Sequence, residues 1–208
     1  MLQQTQVSRV LPKYEEFLKK FPSLRELHKA STADILKAWK GMGYNRRALY
    51  LKKISSIPTN EKELLQLPGI GRYTARAILV FAYKKDIAMV DTNIRKIIAH
   101  FFFDDKPQKD SVIQGVADQL VPKGKSWEWH QALMDYGALG MSKAKSHKAK
   151  IIPFKNSNRY FRGKLMDILR ETSVKEKILL KNFSQSIIDG LIKDGLVERK
   201  KGVLSLPI

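Results

Sequence analysis

The chain has 208 residues, 43% of them hydrophobic, enough to bury a core, so global disorder is excluded. It has no cysteine, which excludes disulfides, thiol catalysis and thiolate-held metal centres, and no apolar run approaches the ~18 residues of a membrane span. Lys and Arg number 39 against 20 Asp and Glu, a formal charge of +19; on a folded chain that excess points to a polyanion, nucleic acid first.

The periodicity is helical almost throughout. Val7, Val10, Leu11, Tyr14, Leu18 and Phe21 recur at three- and four-residue spacing and predict a first helix with one apolar stripe, bent or begun at Pro12. Ser31 followed by Asp34 predicts a capped second helix over 33–39, stopped by Gly41-Met42-Gly43. Further helices are expected near 46–54, 61–67, 73–83, 93–103, 111–120 and 126–139, with prolines beside the junctions. No acidic residue occurs between Tyr136 and Arg162 while lysines accumulate, which reads as a basic linker at 141–157. Helices near 160–170, 174–180 and 184–193 and a hairpin over 197–206, turning at Lys201-Gly202, predict a small winged-helix-like module at 158–208. The predicted fold class is therefore an all-α bundle over 1–140 with that module appended.

Two stretches have chemical potential. Leu67-Pro68-Gly69-Ile70-Gly71-Arg72-Tyr73 lies between two helical patterns; its glycines permit close backbone approach, and the amides opening the next helix suit a phosphate oxygen. Spacing alone serves a ligand-free helix–helix turn equally well. Asp91, before Thr92-Asn93-Ile94-Arg95, is an ordinary N-cap candidate; the same position suits an anion that stabilises a developing positive charge. His130, between Trp129 and Gln131, reads as a packed core histidine, and the four histidines have no metal-ligand spacing.

Met1-Leu2-Gln3-Gln4-Thr5-Gln6-Val7, Trp39-Lys40-Gly41-Met42-Gly43-Tyr44-Asn45-Arg46-Arg47-Ala48, Leu67-Pro68-Gly69-Ile70-Gly71, Val90-Asp91-Thr92-Asn93 and Met134-Asp135-Tyr136-Gly137-Ala138 follow one another in this order. Together they resemble the helix-hairpin-helix DNA glycosylases, in particular the MutY-type adenine glycosylases, over roughly residues 1–140. The resemblance implies that the hairpin, with Gly69, Ile70, Gly71 and Arg72, grips the DNA backbone beside the lesion and holds a monovalent cation on its carbonyls. It implies that Asp91 stabilises an oxocarbenium-like sugar, and Asn93 is counted with it. Tyr73 stands where the bifunctional endonuclease III branch has its lysine nucleophile; a phenol forms no Schiff base, so base removal without strand cleavage is expected. Gln4 would fill the gap in the duplex, with Gln3 beside it. Leu2 and Thr5 would touch the opposite base and Tyr44 would wedge at the same place. Leu2 and Tyr44 also read as plain core residues, Gln3 and Gln4 as exposed helix residues. Arg46 and Arg47 read equally as phosphate contacts or as a solvated helix face.

Three features depart from the family pattern. The family's general acid, a glutamate two positions before the Met of the Met-Leu-Gln-Gln run, would precede residue 1; the sequence then reads as a fragment of a longer protein or as a truncated one, the fragment being preferred. The cysteines that hold a four-iron cluster after the Gly137-Ala138 region are missing, so no cluster is expected. Only thirteen residues separate Lys53 from Leu67, and the tail does not look like the family's oxidised-guanine-reading domain. The function expected is removal of adenine mispaired with guanine or 8-oxoguanine. A G/T or G/U mismatch thymine or uracil glycosylase is the enzymatic alternative, and a non-catalytic DNA-binding module is the third reading. The expected partner is duplex DNA with a mispaired or damaged base, bound by a monomer in the cytoplasm or nucleoid without membrane association. Without the proton donor, excision from an A:8-oxoguanine duplex should be about 10²–10⁴-fold slower than for a chain extended upstream; equal rates in a glycosylase assay would refute this.

Overall fold

Helix α1 (Val7–Lys20) contains Pro12, and its expected single stripe splits in two. Val10, Phe17 and Phe21 are buried, whereas Val7, Leu11, Tyr14 and Leu18 are exposed. Both rows keep helical spacing, so periodicity cannot rank them. Packing does: Phe17 meets Trp39 edge-on at 5.7 Å and Phe21 at 4.9 Å. The short helix α2 (Leu24–Lys29) was not expected, although its signal is present: Ser23 Oγ accepts the Glu26 N–H at 3.2 Å in a Ser-x-x-Glu cap. In α3 (Thr32–Ala38) the expected cap forms, Ser31 Oγ accepting from the Asp34 N–H at 3.0 Å and donating to its carboxylate at 2.7 Å. Helix α4 (Arg46–Lys53) follows the Gly41–Tyr44 loop.

The computed structural model describes residues 1–139 and 153–208. They divide into two units, Met1–Ser56 with Lys148–Ile208, and Ile57–His147. The second unit holds α5 (Glu61–Leu64), α6 (Arg72–Phe81), α7 (Thr92–Phe103), α8 (Asp110–Leu120) and α9 (Ser126–Leu139). Its core is built on Val80, Met89, Ile94, Ile98 and Ile113, with a smaller cluster of Leu64, Ala75 and Leu79 under the α5–α6 connection. Helix α5 is shorter than expected because Leu65 to Pro68 are already turning. Helices α7 and α9 approach so closely that a Cβ on Gly137 would lie 2.7 Å from Cβ and 3.2 Å from Cα of Asn93, a separation only glycine permits.

The C-terminal segment contributes α10 (Asn158–Glu171), β1 (Val174–Lys175), α11 (Glu176–Leu179), α12 (Gln185–Lys193), β2 (Glu198–Lys200) and β3 (Val203–Ser205). The strands form an antiparallel sheet in the order β1-β3-β2, with Val174 and Arg199 both opposite Leu204. Lys201 and Gly202 both take positive φ, 48° and 72°, the pairing a two-residue primed turn requires. Strand β1 replaces the start of the helix expected at 174–180.

This segment does not bury a core of its own. Leu165, Met166, Ile188, Leu191 and Leu204 belong to one hydrophobic cluster with Ile35, Leu36 and Trp39. The division expected at 1–140, 141–157 and 158–208 is thereby corrected: strands of two and three residues cannot hide enough apolar surface alone, so the winged-helix-like segment completes the N-terminal helices. Most of the expected linker, up to residue 152, lies outside the described residues. Buried Arg170 adds a polar tie, Nε donating to the Leu36 carbonyl at 3.0 Å, Nη2 to Asn45 Oδ1 at 3.0 Å and Nη1 to Asp167 at 2.6 Å. Removing it strands the Leu36 and Asn45 acceptors. Arg170→Ala should therefore lower unfolding free energy by about 2–4 kcal/mol in urea titrations, whereas Lys40→Ala, which loses only an exposed pair with Glu171, should cost under about 1 kcal/mol.

Candidate active site

In the second unit, the Leu67–Ile70 turn closes with the Ile70 N–H donating to the Leu67 carbonyl at 3.2 Å. Pro68 and then Gly69 at φ 77° supply what a type II turn requires at its two central positions. Leu67 and Ile70 pack on the Leu64–Ala75–Leu79 cluster, which leaves Gly69 and Gly71 exposed. Gly71 is the N-cap of α6 and has no side chain to accept from the first-turn amides. The positive end of α6, with exposed Arg72 and Tyr73 as its first residues, is thus presented to an outside anion.

Asp91 reaches the start of α7 on an extended segment whose polar groups are individually held. The Met89 N–H donates to His130 Nε2 at 2.8 Å, while His130 Nδ1 donates to the Ser126 carbonyl at 2.6 Å. Because Met89 supplies the proton, Nε2 is unprotonated and the buried imidazole is neutral. Burial lowers the His130 pKa, against the Ser126 hydrogen bond and the Asp91 charge. The Ala88 carbonyl accepts from Arg76 Nη1 at 2.9 Å and from Gln114 Nε2 at 3.1 Å. Arg76 also bonds Glu61 of α5 at 3.0 Å and Asp118 of α8 at 2.9 Å, so one guanidinium ties the segment to three helices. The sequence reading missed Arg76, Gln114 and Gly137 in these roles; only Gly137 stood in a recognised motif.

At the end of this segment Asp91 Oδ1 accepts the Ile94 N–H at 2.7 Å, the N-cap anticipated from sequence. The cap uses one carboxylate oxygen and leaves the other for a ligand. Tyr73 is half-exposed; its pKa is raised, first by burial and then by the Asp91 charge, so the phenol stays protonated beside the carboxylate. Asn93 lies partly buried against Gly137 of α9.

The remaining expected residues lie in the first unit. Leu2 and Tyr44 are 59% and 43% exposed, which removes the core reading for both. Residues 2–5 form a turn rather than a helix, with the Thr5 N–H donating to the Leu2 carbonyl at 3.2 Å. Gln4 at φ 54° and Tyr44 at φ 45° both adopt a left-handed backbone that costs a side-chain-bearing residue energy. Arg47 holds them there. Its Nη1 donates to the Met1 carbonyl at 3.1 Å and to that of Gln3; its Nη2 donates to Thr5 Oγ1 at 3.1 Å and to the Met42 and Gly43 carbonyls at 2.9 and 3.2 Å. Both nitrogens are committed inside the protein, so Arg47 is a positioning residue and neither expected alternative applies. Arg46 is exposed, over the Tyr50 ring at 5.6 Å and 3.5 Å from Asp194.

No group of described residues has three or more His, Cys, Asp or Glu arranged for a metal. The hairpin offers neutral backbone oxygens, which suit a monovalent cation. The sequence has no cysteine and so does not fit an iron–sulfur cluster. No helix among the described residues is long and apolar enough to cross a membrane.

Residues 1–123 match the family model of the HhH-GPD superfamily base excision DNA repair proteins. The chain is 31% identical to the adenine DNA glycosylase of Mycolicibacterium smegmatis over 240 residues, 96% of this chain and 82% of that protein. It is 33% identical to the adenine DNA glycosylase of Buchnera aphidicola subsp. Baizongia pistaciae over 180 residues, 81% of this chain but 51% of that one. Among solved structures, a thermostable thymine-DNA glycosylase superposes with a TM-score of 0.64 at 30% identity, covering 69% of this chain and 72% of its own.

The His130 clamp carries a pH signature. Below about 6.5 the unfolded chain takes up a proton on His130 that the folded chain resists, so folding stability falls as pH falls. Urea unfolding between about pH 7 and pH 5 should cost the parent chain up to about 1.4 kcal/mol per pH unit more than His130→Gln, which has no such proton; parallel pH profiles would contradict the clamp.

Proposed function

Because this chain belongs to the HhH-GPD superfamily of base excision DNA repair proteins, we propose that it is a monofunctional DNA glycosylase that removes adenine mispaired with guanine or 8-oxoguanine. The observation that carries the reading is the Asp91 carboxylate, capping α7 with one oxygen and close enough to Tyr73 to raise its pKa, on the unit that also presents the Gly69–Gly71 hairpin. DNA binds first. The hairpin amides and the positive end of α6 receive a backbone phosphate; the backbone carbonyls between Gly69 and Gly71 would hold a monovalent cation, which would supply further positive charge. The target nucleotide leaves the stack at a cost of a few kcal/mol, a cost that an inserted side chain offsets; Gln4 and Tyr44 of the first unit, both exposed and preset by Arg47, are suited to that insertion.

As the N-glycosidic bond lengthens, positive charge develops on the sugar. A carboxylate fixed before the reaction lowers that barrier because its attraction exists mainly in the transition state. Water then adds its oxygen at the anomeric carbon the base has left, and the proton it gives up passes, overall, to the adenine nitrogen of the broken bond. Tyr73, held protonated, has no amine with which to open the sugar, so the product is an abasic site in an intact strand.

The thymine-glycosylase neighbour, at 30% identity, supports a second reading in which a mismatched thymine or uracil is the leaving base. Single-turnover excision from A:8-oxoguanine, A:G, T:G and U:G duplexes separates the two. Asp91→Asn retains a capping side chain, so fold and DNA affinity should be unchanged while the excision rate falls about 10²–10³-fold. Wild-type rates in that variant would remove Asp91 from the chemistry.

A further inference from the structure

Tyr44 is flanked by two guanidiniums. Arg47 lies 5.4 Å from its ring centroid and is consumed by internal hydrogen bonds. Arg159, at the start of α10 and outside the residues matched by the family model, lies closer, 4.4 Å from the same centroid and 5.9 Å from that of Phe154. Arg159 is exposed, and among the described residues it has no carboxylate partner of the kind that neutralises Arg46, Arg162, Arg170 and Arg199. Its charge acts on Arg47, whose pKa is lowered first by burial, with Tyr44 opposing and Arg159 adding to the drop. Beside it, Phe154 is 60% exposed and meets Tyr160 edge-on at 5.6 Å, and Lys164 lies over the Tyr160 ring at 5.1 Å.

Stacking uses the face of a guanidinium and leaves its in-plane N–H edge available. An exposed aromatic ledge with unneutralised cations and no acidic counterpart is the surface that nucleic acid fits, phosphate on the N–H edge and base on the ring. We infer that Arg159 of the C-terminal segment is part of the DNA-binding face, clamping the Tyr44 ring from one side and receiving a phosphate of the strand that Tyr44 enters. This rests on the glycosylase reading for Tyr44 but adds a residue, and a segment of the chain, that the reading does not supply. The winged-helix-like tail would then act through the first turn of α10 rather than through α12, where Asp189 is exposed and paired with Arg199.

The test uses the full chain and a short A:8-oxoguanine duplex, with affinity measured by fluorescence anisotropy across a salt series. Arg159→Ala should weaken binding about tenfold at low salt and reduce the slope of log affinity against log salt by about 0.9, the loss of one phosphate contact. Lys181→Ala, an exposed cation elsewhere in the same segment, should leave the slope unchanged. Arg159→Lys should keep the slope but lower the fluorescence of a 2-aminopurine at the target position, because an ammonium contacts phosphate without clamping the ring. An unchanged slope in Arg159→Ala, an equal drop in Lys181→Ala, or wild-type 2-aminopurine signal in Arg159→Lys would each overturn the inference while leaving the glycosylase reading in place. Absence of salt-dependent binding by the parent chain would instead sink that reading, and the inference with it.

Discussion

A neutral, buried histidine and a partly buried arginine hold the five-residue segment from Ile87 to Asp91, and the candidate active site depends on that hold. His130 takes the Met89 N–H and Arg76 takes the Ala88 carbonyl, so backbone groups that no strand partner satisfies are satisfied by side chains from α9 and α6. An extended segment running through a helical core would otherwise bury unpaired amides at about 1–3 kcal/mol each. With both groups paired, Ala88 and Met89 are fully buried and Asp91 reaches α7 in one register. The neutral state of His130 also matters: a protonated imidazole could not accept from Met89, and it would add a cation whose charge is felt at Asp91.

In the first unit an arginine does comparable work. Two left-handed residues, Gln4 and Tyr44, sit in turns that Arg47 fastens to one another through five hydrogen-bond acceptors. Each such conformation costs of order 1 kcal/mol or more, and the chain keeps both because one guanidinium over-determines them. On the proposed function, a side chain that enters a DNA duplex gains from this. Its backbone is already placed, so less ordering remains to be done on binding. The C-terminal segment supports the same region from another side: Arg170 reaches Asn45, and Arg46 and Arg162 share Asp194 at the end of α12.

Much of this was legible in the residues and some was not. Local signals worked where the physics is local. Ser31 with Asp34, Pro68 with Gly69, Asp91 with Ile94 and Lys201 with Gly202 each act within four residues, and each forms as its chemistry dictates. The failures were questions of partner. Val7, Leu11, Tyr14 and Leu18 are as periodic as Val10, Phe17 and Phe21, and only the position of Trp39 selects the buried row. Strand β1 is two residues long and exists because β3 pairs with it.

The sequence by itself determined the helical character, the hairpin, the capping carboxylate, the basic charge and, through its ordered motifs, the family. These are properties of short stretches and of composition, which a chain has before it folds. Tertiary structure decided which charged groups are available and which are spent. Arg46, Arg47, Arg76 and Arg159 are alike as letters, but one pairs at the surface, one welds two turns, one braces three helices, and one has no carboxylate partner among the described residues. Contacts between residues up to more than a hundred positions apart set those differences, and desolvation, which fixes what an arginine is worth, follows from the packed fold alone.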